Sequence, residues 1–457
     1  RVPCRRGGTA ARGRALLREE AQDMIRGRSA ALGMAFSLAS TVGAQGVQKA
    51  QPPPQFTSGY TVPSTPAPLP RADVFSLVDI GLLVAVMGLG AWLVLAKRSR
   101  REVRVLTLFA VLYFGFYRLG CVCAIGSIQN VVYAAAHSDY RLPVAVAAFF
   151  TLPLLAALFF GRVFCGVACP MGALQDLVLI RPLKVKAQLD GLLGTIPYLY
   201  LGAAVAFAAL GTAFVICEYD PFVTIFRING HLPMVLVAGA TVLLSTVVGR
   251  PYCRYLCPYG VLLRWASVFA RHRVRITPEE CLNCHLCAQA CPYGAIVPPS
   301  TGRREPAQER KRVLSILALT LVVAVAMGFA VARLSPTLAR WDPRVVRAWE
   351  LREEQENPRL VKTKMTEAWT RHARPVEEAY REAAAVERNY ALAMPLLAVW
   401  FALVVGLRAL ALGFQRQRPE YETDAGACVH CARCYVACPV PNRPRYAGLR
   451  NLLEGRP

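Results

Sequence analysis

Residues 281–292 read CLNCHLCAQACP, and residues 428–439 repeat the same spacing as CVHCARCYVACP. Each segment has the pattern C-x2-C-x2-C-x3-C-P, which wraps three closely spaced thiolates around one face of a cubane iron–sulfur cluster. Zinc also binds four cysteines, but zinc sites usually pair two CxxC knuckles and do not require the third cysteine or the C-P. The repeat therefore predicts two 4Fe–4S clusters. The predicted ligands are Cys281, Cys284, Cys287, Cys291, Cys428, Cys431, Cys434 and Cys438.

The pairing of the two runs follows from known dicluster ferredoxins. In these proteins the fourth cysteine of each run binds the cluster of the other run. We therefore expect Cys438 to complete the cluster of the first run and Cys291 to complete that of the second. The two runs would then be halves of one module, although about 140 residues separate them along the chain.

The rest of the chain has the composition of a membrane protein. Of its 457 residues, 55% are hydrophobic and only 18% are charged, with a mean hydropathy of +0.35. The net charge of +24 is concentrated beside apolar segments, and no nucleic-acid-binding motif is present, so we expect lipid rather than nucleic acid as a partner. Segments near the ~20 apolar residues that a bilayer core requires predict about seven spans. They are Val74–Ala96, Val103–Leu119, Pro143–Phe164, Ile196–Ile216, Leu232–Val248, Val313–Ala332 and Ala391–Leu412.

Basic residues in short loops predict the orientation of these spans. Residues 97–101, KRSRR, lie between the first two spans, and such loops favour the cytoplasmic side. Alternation then places both ferredoxin runs in the cytoplasm. The prediction is an all-α polytopic protein of the bacterial inner membrane that carries a cytoplasmic dicluster ferredoxin-like module.

The predicted spans and cysteine runs also define the domain boundaries. Residues 1–45 are interpreted as an upstream extension and a signal peptide, the alternative being an uncleaved first anchor. The remaining divisions are an exported linker (46–73), a five-span core (74–270), the first ferredoxin half (271–306), the sixth span (307–334), a periplasmic helical cap (335–390), the seventh span (391–412) and the second ferredoxin half (413–457).

A second repeat follows the third and fifth spans, where residues 161–172 and 249–260 share the pattern GRxxCxxxCPxG. Two thiolates per copy give four in all, which is enough for one further iron–sulfur cluster. The alternative is a pair of structural cysteines packed under a Pro-Gly turn. Arg162 and Arg250 either offset the charge of a thiolate-bound cluster or anchor the spans in the headgroup region. The candidate metal ligands are Cys165, Cys169, Cys253 and Cys257.

A degenerate third copy lies in residues 120–129, GCVCAIGSIQ, and contains Cys121 and Cys123. The predicted topology places it, together with Cys217, on the exported face, with a hydrocarbon core of ~30 Å between it and the other cysteines. These three cysteines could hold part of an exported metal site with a fourth ligand that is not cysteine. Alternatively, Cys217 could form a disulfide with Cys121 or Cys123 in an oxidising compartment.

The CxxxCP pair, the segment around Cys217 and the ferredoxin runs together resemble the NosR/NapH-type membrane polyferredoxins over residues 75–445. The resemblance implies a membrane electron-transfer protein that serves a periplasmic respiratory reductase or a related system. NosR-type members carry an exported flavin-binding domain before these spans, whereas here only residues 46–73 lie between the predicted signal and the first span. A flavin would therefore belong to a periplasmic partner, which could also contain a metal.

The predicted function is electron transfer between a quinone or cytoplasmic donor and a periplasmic reductase system. The alternative is an accessory protein that reduces a metal or thiol while a respiratory metalloenzyme matures. No nucleophile–base pair stands out, so we expect an electron-transfer subunit rather than a stand-alone enzyme, with redox proteins as partners. The expected cofactors are two 4Fe–4S clusters, and the further candidates are a third iron–sulfur site and a quinone.

Overall fold

The computed structural model describes residues 73–120, 123–228, 232–276, 284–299, 306–357, 363–371, 375–413 and 420–439. The predicted signal peptide and nearly all of the exported linker lie outside these residues, as do Cys121 and Cys281. Residues Asp79–Tyr446 form one compact unit. The other unit, Arg1–Val78 with Ala447–Pro457, is represented among the described residues only by the start of the first helix.

The described part of the chain is mostly helical, as predicted. It contains two π-helices, Val111–Tyr117 and Phe164–Ala168, and two short strands, Ile296–Val297 and Glu422–Thr423. The α-helices are Asp73–Leu95, Arg100–Ala110, Ala124–Ala136, Val144–Phe160, Pro170–Val178, Ala187–Leu193, Ile196–Leu210, Val215–Tyr219, Pro221–Arg227, Leu232–Ser245, Pro251–Tyr255, Pro258–Val268, Leu286–Ala290, Pro306–Ala339, Pro343–Glu356, Lys364–Arg371, Val376–Gly413 and Arg433–Ala437.

Four helical segments among the described residues are long and apolar enough to cross a membrane: Val74–Leu95, Gln188–Leu210, Arg310–Ala339 and Val376–Leu412. A fifth is added if the sharply bent pair Pro221–Arg227 and Leu232–Ser245 counts as one span. This supports a membrane protein, while the predicted number of seven is not confirmed.

Two of the predicted spans fall short for different reasons. The third corresponds to Val144–Phe160, which has 17 residues and is shorter than the ~20 that a bilayer core requires. The second corresponds to Arg100–Ala110, whose first turns carry several charged side chains, followed directly by the π-helix Val111–Tyr117. The buried face of Arg100–Ala110 includes the Arg100 side chain, which reaches into the functional site described below.

The two longest helices, Pro306–Ala339 and Val376–Gly413, pack against each other as an antiparallel pair. Close contact depends on glycine, because a Cβ on Gly406 would lie 2.1 Å from Thr320 Oγ1. The predicted helical cap, residues 335–390, contains Pro343–Glu356 and Lys364–Arg371 between the ends of this pair.

The two ferredoxin halves meet in space, as predicted. Ile296–Val297, which follows the first run, pairs antiparallel with Glu422–Thr423, which precedes the second. The Asp424 backbone N–H extends this pairing by donating to the Ala295 carbonyl at 2.8 Å. Helices Leu286–Ala290 and Arg433–Ala437 also pack on each other.

One continuous apolar core joins the ferredoxin halves to the helical bundle. Tyr293, Val429 and Tyr435 from the ferredoxin halves are buried in the same cluster as Phe164 and Tyr259 of the bundle. The ferredoxin module is therefore packed onto the CxxxCP segments, which positions the cysteine sets relative to one another.

Candidate functional site

The CxxxCP motif builds the same helix start in both copies. Cys169 and Cys257 each precede a helix whose first residue is proline, in Pro170–Val178 and Pro258–Val268. Proline suits this position because it has no N–H to leave unpaired and its φ is already helical. The Cys257 Sγ accepts a hydrogen bond from the Gly260 N–H at 3.3 Å, so the positive end of the helix faces the sulfur.

The four cysteines of the two copies form one cluster of thiols, which we call the CxxxCP quartet (Cys165, Cys169, Cys253 and Cys257). Burial raises the pKa of Cys257 well above its ordinary value, and repulsion from the other three thiolates raises it further. Burial likewise raises the pKa of Cys253 to about 11, although the neighbouring Arg250 partly opposes the shift. The raised pKa values favour neutral thiols in the absence of a bound cation. Ionisation of all four in this buried place would require a multivalent cationic centre to neutralise the thiolates.

A second set gathers around the second ferredoxin run and includes the last cysteine of the first run. Burial raises the pKa of Cys434 well above its ordinary value, and Cys431, Cys428 and Cys291 add to the shift. Cys291, predicted to cross from one run to the other, therefore lies with the three cysteines of the second run. We call these four residues the crossed quartet.

The first run is described only in part, because Cys281 lies outside the described residues. Its remaining cysteines are Cys284 and the buried Cys287. His285 takes a left-handed conformation (φ 59°) before helix Leu286–Ala290, and Ala432 does the same (φ 60°) at the equivalent position of the second run. The described parts of the two runs thus share a left-handed residue followed by a short helix.

Arg162 and Arg250 occupy equivalent positions in the two GR repeats and lie between the cysteine sets. Their exposed fractions are only 7% and 1%, which rules out an anchoring role in the lipid headgroups. Arg162 donates to the Gly426 carbonyl at 2.7 Å and points a second nitrogen at Cys165 Sγ, 3.8 Å away. The Arg250 guanidinium donates to the Cys165 carbonyl.

These arginines still have unpaired donors. The Nε atoms of Arg162 and Arg250 are buried without a hydrogen-bond partner among the described atoms. A buried guanidinium is costly unless an anion compensates it. The sulfur atoms of a thiolate-bound cluster would supply that negative charge, so the residues present fit an iron–sulfur cluster at this site.

No group of three or more His, Cys, Asp or Glu residues in the described ranges is arranged to hold a single metal ion. The quartets do not conflict with this result. Each thiolate of a cubane binds a different iron, so the sulfur ligands stand farther apart than around one zinc ion.

Asp176 is a functional residue that the sequence reasoning missed. It is 2% exposed, and its two oxygens pair with Arg100 at 2.6 Å and with Arg433 at 2.8 Å. The Tyr293 hydroxyl donates to the same carboxylate at 2.6 Å. Burial alone would raise the pKa of Asp176, but the surrounding arginines hold it well below its usual range. The signal available in the sequence was a lone acidic residue in the apolar segment after Pro170.

Gln175, beside Asp176, connects the two CxxxCP copies. Its Nε2 donates to Cys253 Sγ at 3.2 Å, and its Oε1 accepts the Tyr252 N–H at 3.1 Å. Gln175 is 2% exposed, so this bridge is shielded from water. A hydrogen bond to a ligating sulfur is one of the features that set the potential of an iron–sulfur cluster.

Each GR turn also contacts one ferredoxin half closely. A Cβ on Gly249 would lie 2.9 Å from the Pro292 carbonyl of the first half. A Cβ on Gly161 would lie 2.4 Å from the His430 ring of the second half. The two CxxxCP copies therefore dock the two ferredoxin halves in equivalent ways.

A cavity of about 130 Å³ leads to the quartet. Cys253 and Cys257 line it, and several arginines surround them, including Arg254 and Arg408. Arg254 is paired with Asp190 at 2.7 Å. The cavity therefore presents excess positive charge beside the thiols.

Cys123 and Cys217 lie close to the quartet, and the predicted separation by a full hydrocarbon core is wrong. Tyr252 directly precedes Cys253, and Asp220 follows Cys217 by three residues. The Tyr252 hydroxyl donates to Asp220 Oδ1 at 3.3 Å, which brings the two cysteine segments together. The local cysteine motifs do not predict this proximity, because it depends on how the helices pack. Both cysteines are free thiols, so the predicted disulfide between them is absent, and Cys121 lies outside the described residues.

Comparison with known proteins supports this description of the cysteine sites. A model named 4Fe-4S binding domain matches residues 142–187 and 231–277, which contain the two CxxxCP copies. A second model of the same description matches residues 274–297, the first ferredoxin run. No solved structure matches the chain.

Curated proteins that are similar to parts of the chain include NirI and YccM. Protein NirI of Paracoccus denitrificans (strain Pd 1222) is 36% identical over 135 residues, which are 28% of this chain and 19% of that protein. YccM of Escherichia coli (strain K12), whose name proposes a role in electron transport, is 38% identical over 64 residues, 14% of this chain and 18% of that protein. The chain thus matches less than a fifth of the length of either relative. Together the matches show that the chain contains 4Fe–4S binding domains, and they confirm its resemblance to the NosR/NapH-type polyferredoxins.

Proposed function

We propose that this chain is a membrane-bound iron–sulfur protein that passes single electrons between a quinone or cytoplasmic donor and a periplasmic reductase system. The observation that carries the proposal is the position of Arg250. Its guanidinium donates to the Cys165 carbonyl and lies 3.8 Å from the Asp176 carboxylate, which also pairs with Arg433 of the second ferredoxin run. One buried side chain therefore lies between the CxxxCP quartet and the crossed quartet.

The ligand assignment has three parts. The crossed quartet would hold one 4Fe–4S cluster through Cys291 and the second run. Cys438 would join the three remaining cysteines of the first run to hold another, and the CxxxCP quartet would hold a third. When bound, such clusters accept and release one electron each.

The other residues of the site tune and shield these centres. Arg162 and Arg250 place positive charge beside the thiolates, which favours the more negative, reduced form of a cluster. Gln175 donates a hydrogen bond to Cys253, which acts in the same direction. The shared apolar core excludes water from the space between the quartets.

The membrane setting supports a role at the bacterial inner membrane. Four or five described segments can cross a bilayer, and the basic loop 97–101 favours the cytoplasmic side. Arg100 of this loop donates to the Cys431 carbonyl at 2.8 Å, so the loop and the second ferredoxin run belong to the same face. On this basis the ferredoxin module would face the cytoplasm.

The electron partners follow from this placement. A quinone or a cytoplasmic protein would exchange electrons with the chain, and a periplasmic subunit carrying a flavin or a metal would be the acceptor on the other side. The resemblance to NosR/NapH-type polyferredoxins and to YccM supports a redox role with separate partner proteins.

The direct test is iron and acid-labile sulfide per chain in anaerobically purified protein, combined with EPR of the reduced form. About twelve irons are expected for three cubanes, whereas about eight would restrict the clusters to the ferredoxin runs. Cys253→Ser should remove the CxxxCP cluster and leave the ferredoxin signals. Retention of all iron in this variant would contradict the assignment.

The quinone part of the proposal needs its own measurement. A redox titration of the purified protein is run with and without quinol, and cluster reduction or oxidation is followed by EPR. If quinol changes the state of no cluster, the quinone-linked version fails, and a cytoplasmic donor is the remaining choice.

A further inference from the structure

The surroundings of Cys123 repeat the construction of the CxxxCP quartet. Helix Ala124–Ala136 begins directly after Cys123, as Pro258–Val268 begins after Cys257. In both cases the glycine three residues later donates its N–H to the thiol at 3.3 Å. The degenerate third copy of the motif therefore keeps the same helix start, although it lacks the proline.

The repetition extends to the glutamine six residues after the cysteine. Gln129 follows Cys123 as Gln175 follows Cys169. The Oε1 of Gln175 accepts the N–H of Tyr252, beside Cys253, and the Oε1 of Gln129 accepts the N–H of Cys217 itself at 3.3 Å. Each glutamine thus ties the helix of one cysteine to the segment that carries a second cysteine.

The amide nitrogen of Gln129 has no partner in the described structure. Gln129 is 0% exposed, and its Nε2 is buried without a hydrogen bond. The equivalent atom of Gln175 donates to Cys253 Sγ. Leaving a buried donor unpaired costs about 1–3 kcal/mol, so an acceptor is expected at this position. The Oε1 of the same amide accepts the backbone N–H groups of Ile216 and Cys217, at 3.1 Å and 3.3 Å.

The two sulfurs share one small space. Cys217 Sγ and Cys123 Sγ would lie 3.3 Å and 3.7 Å from a Cβ placed on Gly126. Both thiols are free. Thiolates are soft ligands that suit iron–sulfur chemistry. The unpaired Nε2 of Gln129 corresponds to the Gln175 Nε2 that donates to Cys253 Sγ in the CxxxCP quartet.

We propose that Cys123 and Cys217 are ligands of an additional iron centre, with the Gln129 amide donating a hydrogen bond to its sulfur. The inference rests on the proposed function, which it extends by one carrier. This centre would lie beyond the CxxxCP quartet as seen from the ferredoxin module. Tyr252 and Asp220 link the two sites, and the ring of Phe222 packs on Tyr252 with centroids 4.6 Å apart. Electrons would then have a route into the apolar bundle that needs no mobile carrier at this step.

The test compares metal content in the full-length chain purified anaerobically in detergent. Cys217→Ser is the main variant, because Cys217 is exposed and the substitution should not disturb folding. Cys123→Ser is the second variant, since serine is a good residue at a helix start. Each should lose at least about one iron per chain and the corresponding spectroscopic signal, while the ferredoxin-type EPR signals stay unchanged.

Gln129→Leu provides a readout that does not depend on ligand loss. It should retain the iron but change the EPR signal or the potential of this centre alone. An unchanged signal would overturn the role assigned to Gln129.

Several results would overturn the iron centre itself: unchanged iron in both cysteine variants, loss of zinc in place of iron, or a Cys123–Cys217 disulfide in the intact mass of the anaerobic protein. These outcomes are distinguishable from a failure of the proposed function. If Cys253→Ser loses iron while Cys217→Ser does not, only this inference fails. If neither Cys253→Ser nor Cys291→Ser loses iron, the proposed function fails.

Discussion

Arg433 pairs with the buried Asp176 at 2.8 Å. Arg433 lies between the second and third cysteines of the second ferredoxin run. The two residues are 257 positions apart in the chain. The same carboxylate also holds Arg100, whose guanidinium donates to the Cys431 carbonyl. This one carboxylate therefore joins the second ferredoxin run to the helix that follows the first CxxxCP copy.

Asp176→Asn should strongly destabilise the contact between the ferredoxin module and the bundle. The variant leaves buried arginines without their anion, and breaking a buried ion pair typically costs about 3–5 kcal/mol. Thermal unfolding in detergent should show a lower midpoint together with partial loss of iron. Asp190→Asn is the matched control, because the Asp190 side chain is 33% exposed and its pair with Arg254 should contribute at most about 1 kcal/mol. Equal effects of the two substitutions would contradict the assigned role of Asp176.

The effect of Asp176→Asn should not depend on pH in the physiological range. The folded-state pKa of Asp176 lies below its ordinary value of 3.8, so its contribution is complete above that pH and disappears only as the pH falls through the folded pKa. The stability difference between wild type and Asp176→Asn should stay constant between about pH 5 and pH 8. A difference that shrinks between pH 7 and pH 5 would show that the carboxylate is not held by the arginines.

The crossed pairing of the ferredoxin runs predicts opposite outcomes for two equivalent substitutions. Cys291→Ser should remove the cluster bound by the second run, because Cys291 lies with Cys428, Cys431 and Cys434. Cys438→Ser should instead remove the cluster of the first run. EPR of the reduced variants distinguishes the signals. If each variant loses the cluster of its own run, the pairing is uncrossed.

Gln175→Leu should lower the reduction potential of the CxxxCP cluster. The variant loses the hydrogen bond from Nε2 to Cys253 Sγ, which stabilises the more negative, reduced state. A shift on the order of tens of millivolts is expected, since about 1.4 kcal/mol corresponds to about 59 mV for one electron. An EPR-monitored redox titration measures it. Gln129→Leu should leave this particular potential unchanged, and an equal shift in both variants would refute a direct effect.

Gly166→Ala should weaken docking of the second ferredoxin run. A Cβ at this position would lie 2.3 Å from the Val429 carbonyl oxygen, and a backbone atom cannot move aside cheaply. Overpacking of this kind costs about 1–3 kcal/mol, so both the thermal midpoint and the iron content should fall. Gly239→Ala is the control, because a Cβ there meets nothing within 4 Å. Normal stability and iron content in Gly166→Ala would show that the loop 428–430 is not held against Gly166.

The cysteine motifs and apolar segments were readable from sequence because each is a local pattern. The spacing of a ferredoxin run is set by the reach of a few consecutive residues around one cluster, and the CxxxCP copies likewise repeat a local helix start. The same holds for the membrane character, which depends on runs of apolar residues. Span number was less predictable, because Val144–Phe160 is apolar but too short for a bilayer core.

The sequence alone therefore identifies the candidate cluster ligands and the apolar segments that favour a membrane location. Three-dimensional packing is what pairs Asp176 with Arg433 and brings Arg250 to the Cys165 carbonyl. It also places Asp220, three residues after Cys217, in hydrogen-bond contact with Tyr252. These contacts join residues far apart in the chain. They arise when separate helices bury their apolar faces in one core, and the few polar groups trapped there must then find partners.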